Sequence, residues 1–474
     1  MTTPFPKHFL WGAATSAYQI EGYPLADGAG ASIWHRFAHT PGRVARAETG
    51  DLACDHYHRY RDDVALMAEL GLNTYRFSVA WGRVLPEGRG AINQRGLDFY
   101  ERLVDTLLAH GIRPMLTLYH WDLPVALHER GGWLNPDSPH WFADYAATLF
   151  RALADRVPLW VTLNEPWVVT VPGYLDGQLA PGHRDLFEPP RVAHHLLLAH
   201  AEAVAAYRTL GRHQIGLAVN LEPQHPASSA PADQTASRRR DAFINRWFLD
   251  PLLLGRYPDE LADIFGLAWP DYSAESLKVI HSRPDFIGVN YYSRGLVCAA
   301  PDAPPLKAQR ITPTHAELTT MGWEVYPKGL TETLCWVRDR YANPPLYITE
   351  NGAAFADPAP HQGLVNDPQR VAYLRTHLQA AATALEQGVD LRGYYVWSLL
   401  DNFEWAEGYS QRFGLYQVDP HDQRRWPKTS AQFYQAVIRS HGAAVTPASG
   451  SPTAAYAADA ALHDTTTTPA ARAD

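Results

Sequence analysis

Two glutamates occupy the same kind of position in this sequence. "LWVTLNEPW", Leu159 to Trp167, and "PLYITENGAAF", Pro345 to Phe355, each run from apolar, strand-forming residues into Asn and Glu. Each then meets a breaker. Pro166 cannot continue a strand ladder, and Asn351-Gly352 reads as a turn in which Gly takes backbone angles closed to other residues. A single Glu at a strand end is usually a solvated loop residue, but two in one context suggest a pair. Opposed carboxylates are the equipment of glycosidic cleavage: one protonates the departing oxygen, and the other attacks the sugar carbon or activates water. Their separation decides between those two outcomes.

The elements that must position them recur regularly. Eight short apolar or β-branched segments begin at His8, Asn73, Arg113, Leu159, Gln214, Phe286, Pro345 and Leu391. Between them lie amphipathic stretches such as "RDDVALMAELG", "QRGLDFYERLVDTLLAHG" and "QRVAYLRTHLQAAATALEQG", with apolar residues at spacings of three and four and a closing Gly. Strand and helix alternate eight times, which predicts a parallel sheet closed into a (β/α)₈ barrel with functional groups at the carboxyl ends of strands. Glu165 and Glu350 then belong to the fourth and seventh strands, nearly opposite across the mouth. The doubly wound open sheet is the competing architecture. Its phosphate-binding glycine fingerprint is missing, since "EGRGAINQRG" has the wrong spacing and no strand leading into it.

The chain has 474 residues, 46% of them apolar and 19% charged, which is globular composition within the range of one large barrel. A net charge of −9 argues against nucleic acid or an anionic membrane as partner. Arg238, Arg239 and Arg240 precede the apolar-periodic "DAFINRWFLDPLLLG" and read as a solvated helix start. Cys54, Cys298 and Cys335 match neither a disulfide framework nor a zinc spacing, which fits a reducing compartment. No signal-peptide pattern and no run of 18 apolar residues is found, so a soluble cytoplasmic protein is expected. Residues 1–441 form the expected catalytic domain. Residues 442–474, rich in Ala, Thr, Pro and Ser, predict a disordered tail.

The motifs together resemble glycoside hydrolase family 1, the β-glucosidase group, from about Phe5 to His441. "FLWGAATSAYQIEG", "YRFSVAW", "YHWDLP", "TLNEP", "NYYS", "ITENG" and "WSLLDNFEWAEGYSQRFGLYQVD" follow the family's order. The resemblance implies Glu165 as general acid and base, Glu350 as nucleophile and retention of anomeric configuration. In retaining enzymes the carboxyl groups stand about 5 to 5.5 Å apart. At that distance and an effective dielectric near 20, two negative charges repel by roughly 3 kcal/mol, about two pKa units. The resemblance puts Arg76, expected at the end of the second strand, beside Glu350 to keep it anionic. Tyr292 would orient the nucleophile and Asn290 would support it.

Gln19, His120, Asn164 and Glu404 are the polar sugar contacts that the resemblance implies, with Asn164 on the 2-hydroxyl. Trp397 and Trp405 are the implied stacking platforms, and Trp121 and Phe413 complete the implied substrate site. Trp323 resembles the loop tryptophan that meets the aglycone. Taken alone, Trp121 and Trp397 read equally as core aromatics in a chain with 15 Trp. Gln19 and Glu404 are costly to bury unless something bonds them. In "YQVDPHDQRRWPKTS" the chain departs from the family pattern at Pro420 and Trp426, which leaves the rim of the sugar site open.

Glu404 opposes a phosphosugar, because a phosphate dianion cannot sit against a carboxylate. The resemblance implies ordinary O-glycosides rather than thioglucosides, because thioglucosidase relatives lack the acid glutamate that Glu165 supplies here. Glucose, galactose and fucose differ at O4 and C6, where Gln19 and Glu404 can accommodate more than one. A Schiff-base aldolase needs a strand-end lysine, which none of the eight segments supplies. A metal hydrolase needs clustered ligands, and His56 and His58 in "CDHYHRYRDD" read as helix-start packing. A receptor-like relative that has lost catalysis is the non-enzyme alternative. The expected partner is a small neutral β-glycoside with no cofactor and no metal, and homo-oligomerisation stays open.

Overall fold

The computed structural model describes residues 4–445. Its centre is a closed barrel of eight parallel strands: β1 (Leu10–Ala14), β2 (Thr74–Ser78), β3 (Arg113–Tyr119), β4 (Leu159–Asn164), β5 (Gln214–Asn220), β6 (Phe286–Asn290), β7 (Leu346–Asn351) and β8 (Leu391–Trp397). Neighbours follow chain order, and β1 closes the ring by pairing with β8 and β2, at Leu10 opposite Gly393 and Gly12 opposite Thr74. Each strand falls within one of the eight segments expected from sequence. The (β/α)₈ architecture therefore stands, and the open doubly wound sheet does not.

The amphipathic stretches form helices around the ring, including His56–Leu70, Gln94–Ala109 and Pro368–Glu386. The first ends where Gly71 takes φ 81° and its N–H reaches the carbonyls of Met67 and Ala68, a left-handed cap that a Cβ would oppose. His56 packs at that helix's start as expected, its Nδ1 2.7 Å from the buried Asp63 carboxylate. Inside the barrel, Leu10, Met115, Leu159, Val161, Phe286 and Tyr347 are buried in one apolar cluster. That packed floor confines polar groups to the mouth at the strand ends.

Several expectations need correction. Arg76 lies within β2 rather than at its end, because the strand continues to Ser78. Arg238, Arg239 and Arg240 form the last turn of a helix, Pro231–Asp241, rather than the solvated start of the next. Arg239 Nε donates to the Leu306 carbonyl at 2.8 Å and Arg240 lies 3.6 Å from Glu222, so acceptors on neighbouring segments hold the run. Trp426 pairs with Gln417 in a small antiparallel hairpin, Tyr416–Val418 with Arg425–Pro427, and does not line the sugar cavity. Cys54, Cys298 and Cys335 are unpaired. No helix among the described residues is long and apolar enough to cross a membrane. Of the tail expected at 442–474, residues 446–474 lie outside the described residues, but its first residues are ordered: Ala443–Val445 form a 3₁₀ turn with Val445 buried.

The turn expected at Asn351-Gly352 is also different. Asn351 is the last residue of β7, its amide donating to the Tyr291 carbonyl at 2.7 Å and its Oδ1 accepting from Tyr394 at 2.6 Å. Gly352 is not among the residues of positive φ. Its lack of a side chain is needed for space, since a Cβ there would lie 1.8 Å from the Trp397 carbonyl oxygen. Gly352→Ala must push the ends of β7 and β8 apart. We expect a loss of about 1–3 kcal/mol, read as a lower Tm by calorimetry; an unchanged Tm would contradict the close approach.

Candidate active site

Both carboxylate-bearing strands are irregular where the glutamates emerge. Pairing of β7 with β6 shifts between Ile348 and Glu350, and pairing of β4 with β5 shifts between Val161 and Asn164. Such irregularities re-aim side chains at barrel rims. Glu165 itself has φ 45° and ψ 64°, a left-handed conformation uncommon for a residue with a Cβ. Pro166 then opens a short helix as its first residue, where its missing N–H costs nothing. The two breakers therefore do different work: Pro166 starts a helix and Gly352 admits a carbonyl.

The two carboxylates face one cavity of about 610 Å³ and have unlike surroundings. Glu350 Oε1 accepts from Arg76 Nη1 at 2.7 Å and Oε2 accepts from the Tyr292 hydroxyl at 2.6 Å. Glu165 Oε1 accepts from Asn290 Nδ2 at 2.7 Å, and among the described residues no cation is in ion-pair contact with it. Burial leaves the Glu350 carboxyl above its ordinary value, with Arg76, Tyr292 and Asn290 opposing the rise. Burial, then the Glu350 charge, pushes Glu165 up to about 8, with Asn290 and Arg76 opposing. At neutral pH the proton of the pair belongs on Glu165, and the negative charge belongs beside Arg76.

Arg76 is itself fully directed. Nη1 also donates to the Thr349 carbonyl at 3.0 Å, Nη2 donates to Asn164 Oδ1 at 2.6 Å and Nε donates to Thr117 at 3.2 Å. Asn290 is fixed from the other side, because the Thr349 hydroxyl donates to its Oδ1 at 2.7 Å. Its amide N–H groups are thereby aimed at Glu165 and, at 3.0 Å, at Asn164. Trp121 Nε1 closes this set on the Asn164 carbonyl at 2.9 Å.

His120 and Glu404 face the cavity as well. Asn164 Nδ2 donates to His120 Nε2 at 3.1 Å, which leaves the proton on Nδ1, a buried atom with no protein partner among the described residues. Burial and the nearby Arg76 hold the ring far below its usual pKa, so it stays neutral. Glu404 is pushed up to about 8 by burial and then by the Glu350 charge, with Gln19 opposing. Gln19 Nε2 reaches Glu404 Oε2 at 3.3 Å, the Phe403 carbonyl at 2.9 Å and Asn402 at 3.1 Å, while its oxygen accepts from Ser16 at 2.6 Å.

Of the residues expected from sequence, Glu165, Glu350, Asn290, Tyr292, His120, Trp121, Trp323, Trp397, Glu404, Trp405 and Phe413 line this cavity. Arg76, Asn164 and Gln19 do not line it and are bonded to its wall from behind. Trp121 and Trp405 lie 4.6 Å apart between ring centroids, and Trp323 lies 5.2 Å from Tyr292. Both Trp121, at φ 78°, and Trp405, at φ 49°, share the left-handed backbone of Glu165. Sequence reasoning missed part of the outer wall, where Asn220, Glu222, Arg240 and Arg310 line the same cavity. A signal existed for the first two. "AVNLEP" ends β5 as "TLNEP" ends β4, in polar residues followed by Pro.

The model of Glycosyl hydrolase family 1 matches residues 1–443. Beta-glucosidase A of Thermotoga maritima is 48% identical over 442 residues, covering 92% of this chain and 98% of that protein. The bifunctional beta-D-glucosidase/beta-D-fucosidase of Bifidobacterium breve is 44% identical over 467 residues, covering 94% and 100%. A solved family 1 β-glucosidase from Thermotoga maritima superposes with a TM-score of 0.91 at 47% identity, over 93% of this chain and 99% of that one. A barrel with paired carboxylates at its mouth defines a glycosidase-type site, and the chain belongs to glycosyl hydrolase family 1.

The asymmetry of the pair gives a pH test. If protonated Glu165 is required, kcat/KM falls as pH rises through about 8. Asn290 donates to the charged form of Glu165 and so lowers its pKa. In Asn290→Ala the alkaline limb of the kcat/KM profile should move to higher pH, alongside a loss of rate. A limb that stays put or moves down would contradict the assignment.

Proposed function

We propose that the protein is a retaining β-glucosidase that releases unphosphorylated, non-reducing-end glucose by double displacement. The observation that carries this reading is the unlike bonding of two buried carboxylates in one cavity: Glu350 on Arg76 and Tyr292, Glu165 on Asn290 alone. In the first step a Glu350 oxygen bonds to the anomeric carbon as the bond to the leaving oxygen breaks, and the Glu165 proton passes to that oxygen. A glycosyl ester and an anionic Glu165 remain. Esterification removes the Glu350 charge that raised Glu165, so the Glu165 pKa falls and it becomes a base. In the second step Glu165 takes a proton from water as the water oxygen bonds to the anomeric carbon. The ester bond breaks, which restores the Glu350 carboxylate and a protonated Glu165.

Sugar recognition is assigned to His120 and Glu404, which line the cavity, with Gln19 holding Glu404 in place and Asn164 holding the His120 ring from behind. Trp397 and Trp405 are assigned to ring faces, with Trp121 and Phe413 completing the wall. Trp323 is assigned to the leaving group. Glu404, which has no cation in ion-pair contact among the described residues to receive a phosphate, supports a neutral glycone. The name of the Bifidobacterium breve relative supports β-fucosidase side activity, and we extend the proposal to β-galactosides, which differ at the same edge of the ring. The unpaired cysteines support a cytoplasmic location.

Nitrophenyl β-glucoside, β-galactoside, β-fucoside and β-mannoside test the glycone through kcat/KM. Glucoside turnover should be abolished in Glu350→Gly and restored by added azide, which replaces the missing nucleophile and yields the glucosyl azide of inverted configuration. Sugar binding without turnover by the unaltered protein would overturn the reading in favour of a receptor.

A further inference from the structure

A second cluster of side chains lies outside the carboxylate pair. His35 belongs to the helix Ile33–Ala38 and His39 caps it one turn on, with ring centroids 4.3 Å apart. Asp51 approaches from the following loop. His39 Nδ1 lies 2.7 Å from the His35 carbonyl oxygen, which can only accept, so Nδ1 carries the proton and Nε2 presents a lone pair. That lone pair is 3.0 Å from Asp51 Oδ2. Two acceptors this close need a positive charge between them, either a further proton or a metal ion. His35 Nδ1 is 3.5 Å from Asp51 Oδ1 and, although buried, has no hydrogen-bond partner among the described residues.

We propose that His35, His39 and Asp51 bind one divalent cation of the zinc, nickel or copper class. One donor atom from each lies within 4.8 Å of the others. Ligands about 2.0–2.2 Å from one tetrahedral ion stand roughly 3.3–3.6 Å apart, so modest side-chain adjustment closes the set. Two imidazoles and a carboxylate select borderline transition ions over magnesium or calcium, which take oxygen ligands. Side-chain exposures of 43% for His39 and 48% for Asp51 leave room for water in the remaining positions.

The ion would join two segments that both contact the stretch from Trp405 to Tyr409, whose first residue lines the sugar cavity. Trp34, beside His35, packs on Trp405 at 4.4 Å between ring centroids. Glu48 and Thr49, just before Asp51, hold Tyr409: its N–H donates to Glu48 Oε2 and its hydroxyl to the Thr49 carbonyl, both at 2.7 Å. The ion takes no part in glycoside cleavage. It braces the turn that carries Trp405.

Calorimetric titration of the chelator-treated, tag-free full chain with ZnCl₂ tests the site, with a Tm measured in parallel. One saturable equivalent and a raised Tm are expected, both reversed by EDTA. Both should be lost in His39→Gln and in Asp51→Asn, exposed positions where the variants fold. Absence of saturable zinc binding in the unaltered protein, or equal stoichiometry and Tm shift in both variants, would overturn the site and leave a proton as the only charge between His39 and Asp51.

Discussion

The site depends on one buried cation. Arg76 is 1% exposed and ties three other strands to its own: from β2 it bonds Thr117 on β3, Asn164 on β4, and both Glu350 and the Thr349 carbonyl on β7. A guanidinium taken out of water needs a compensating anion, and removing one partner of such a pair costs several kcal/mol. Among the described residues, Glu350 is the only carboxylate in ion-pair contact with it. The barrel therefore places a negative charge at Glu350 for the same reason that it can bury Arg76. Among the described residues no cation is in ion-pair contact with Glu165, and burial with the Glu350 charge keeps its proton in place. One electrostatic constraint thus gives two chemically identical groups different proton affinities.

Backbone strain converges on the same mouth. Glu165, Trp121 and Trp405 all have positive φ, a conformation that costs of order 1–3 kcal/mol at each such residue and persists only where the surroundings over-determine it. Those surroundings are visible. Trp121 is tied to the Asn164 carbonyl, Trp405 is packed against Trp34 and Trp121, and the Glu165 N–H donates to the Ala218 carbonyl at 2.9 Å. The register shifts in β4 and β7 add to this re-aiming at the positions that carry Glu165 and Glu350. Regular strands with an apolar floor supply the stability against which these local departures are held.

Much of this was legible in the sequence, because it was written in local patterns. The eight strand segments, the helical spacings between them and the Asn-Glu pairs at two strand ends are short-range signals, and all eight strands fell within the segments that the pattern marked. What the sequence hid was long-range. Gly352 reads as a turn glycine, yet its need is set by the Trp397 carbonyl, 45 residues away in the chain. Gln19 reads as a sugar contact, whereas its amide is spent on Ser16, Asn402, Phe403 and Glu404. Arg240 reads as a solvated basic run, but its surroundings come from Glu222 on the β5 loop. In each case a residue type was identified and its partner, supplied by a distant strand or loop, was not.

The central claim is that Glu350 holds the charge and forms the bond. A 2,4-dinitrophenyl 2-deoxy-2-fluoro-β-glucoside tests it directly, because the fluorine slows both steps while the good leaving group restores the first, so a covalent intermediate accumulates. Mass spectrometry of the intact chain and of its peptides should find one fluoroglucosyl group per chain, attached to Glu350. A label on Glu165 or any other residue would contradict the account, as would continued turnover with no label at all.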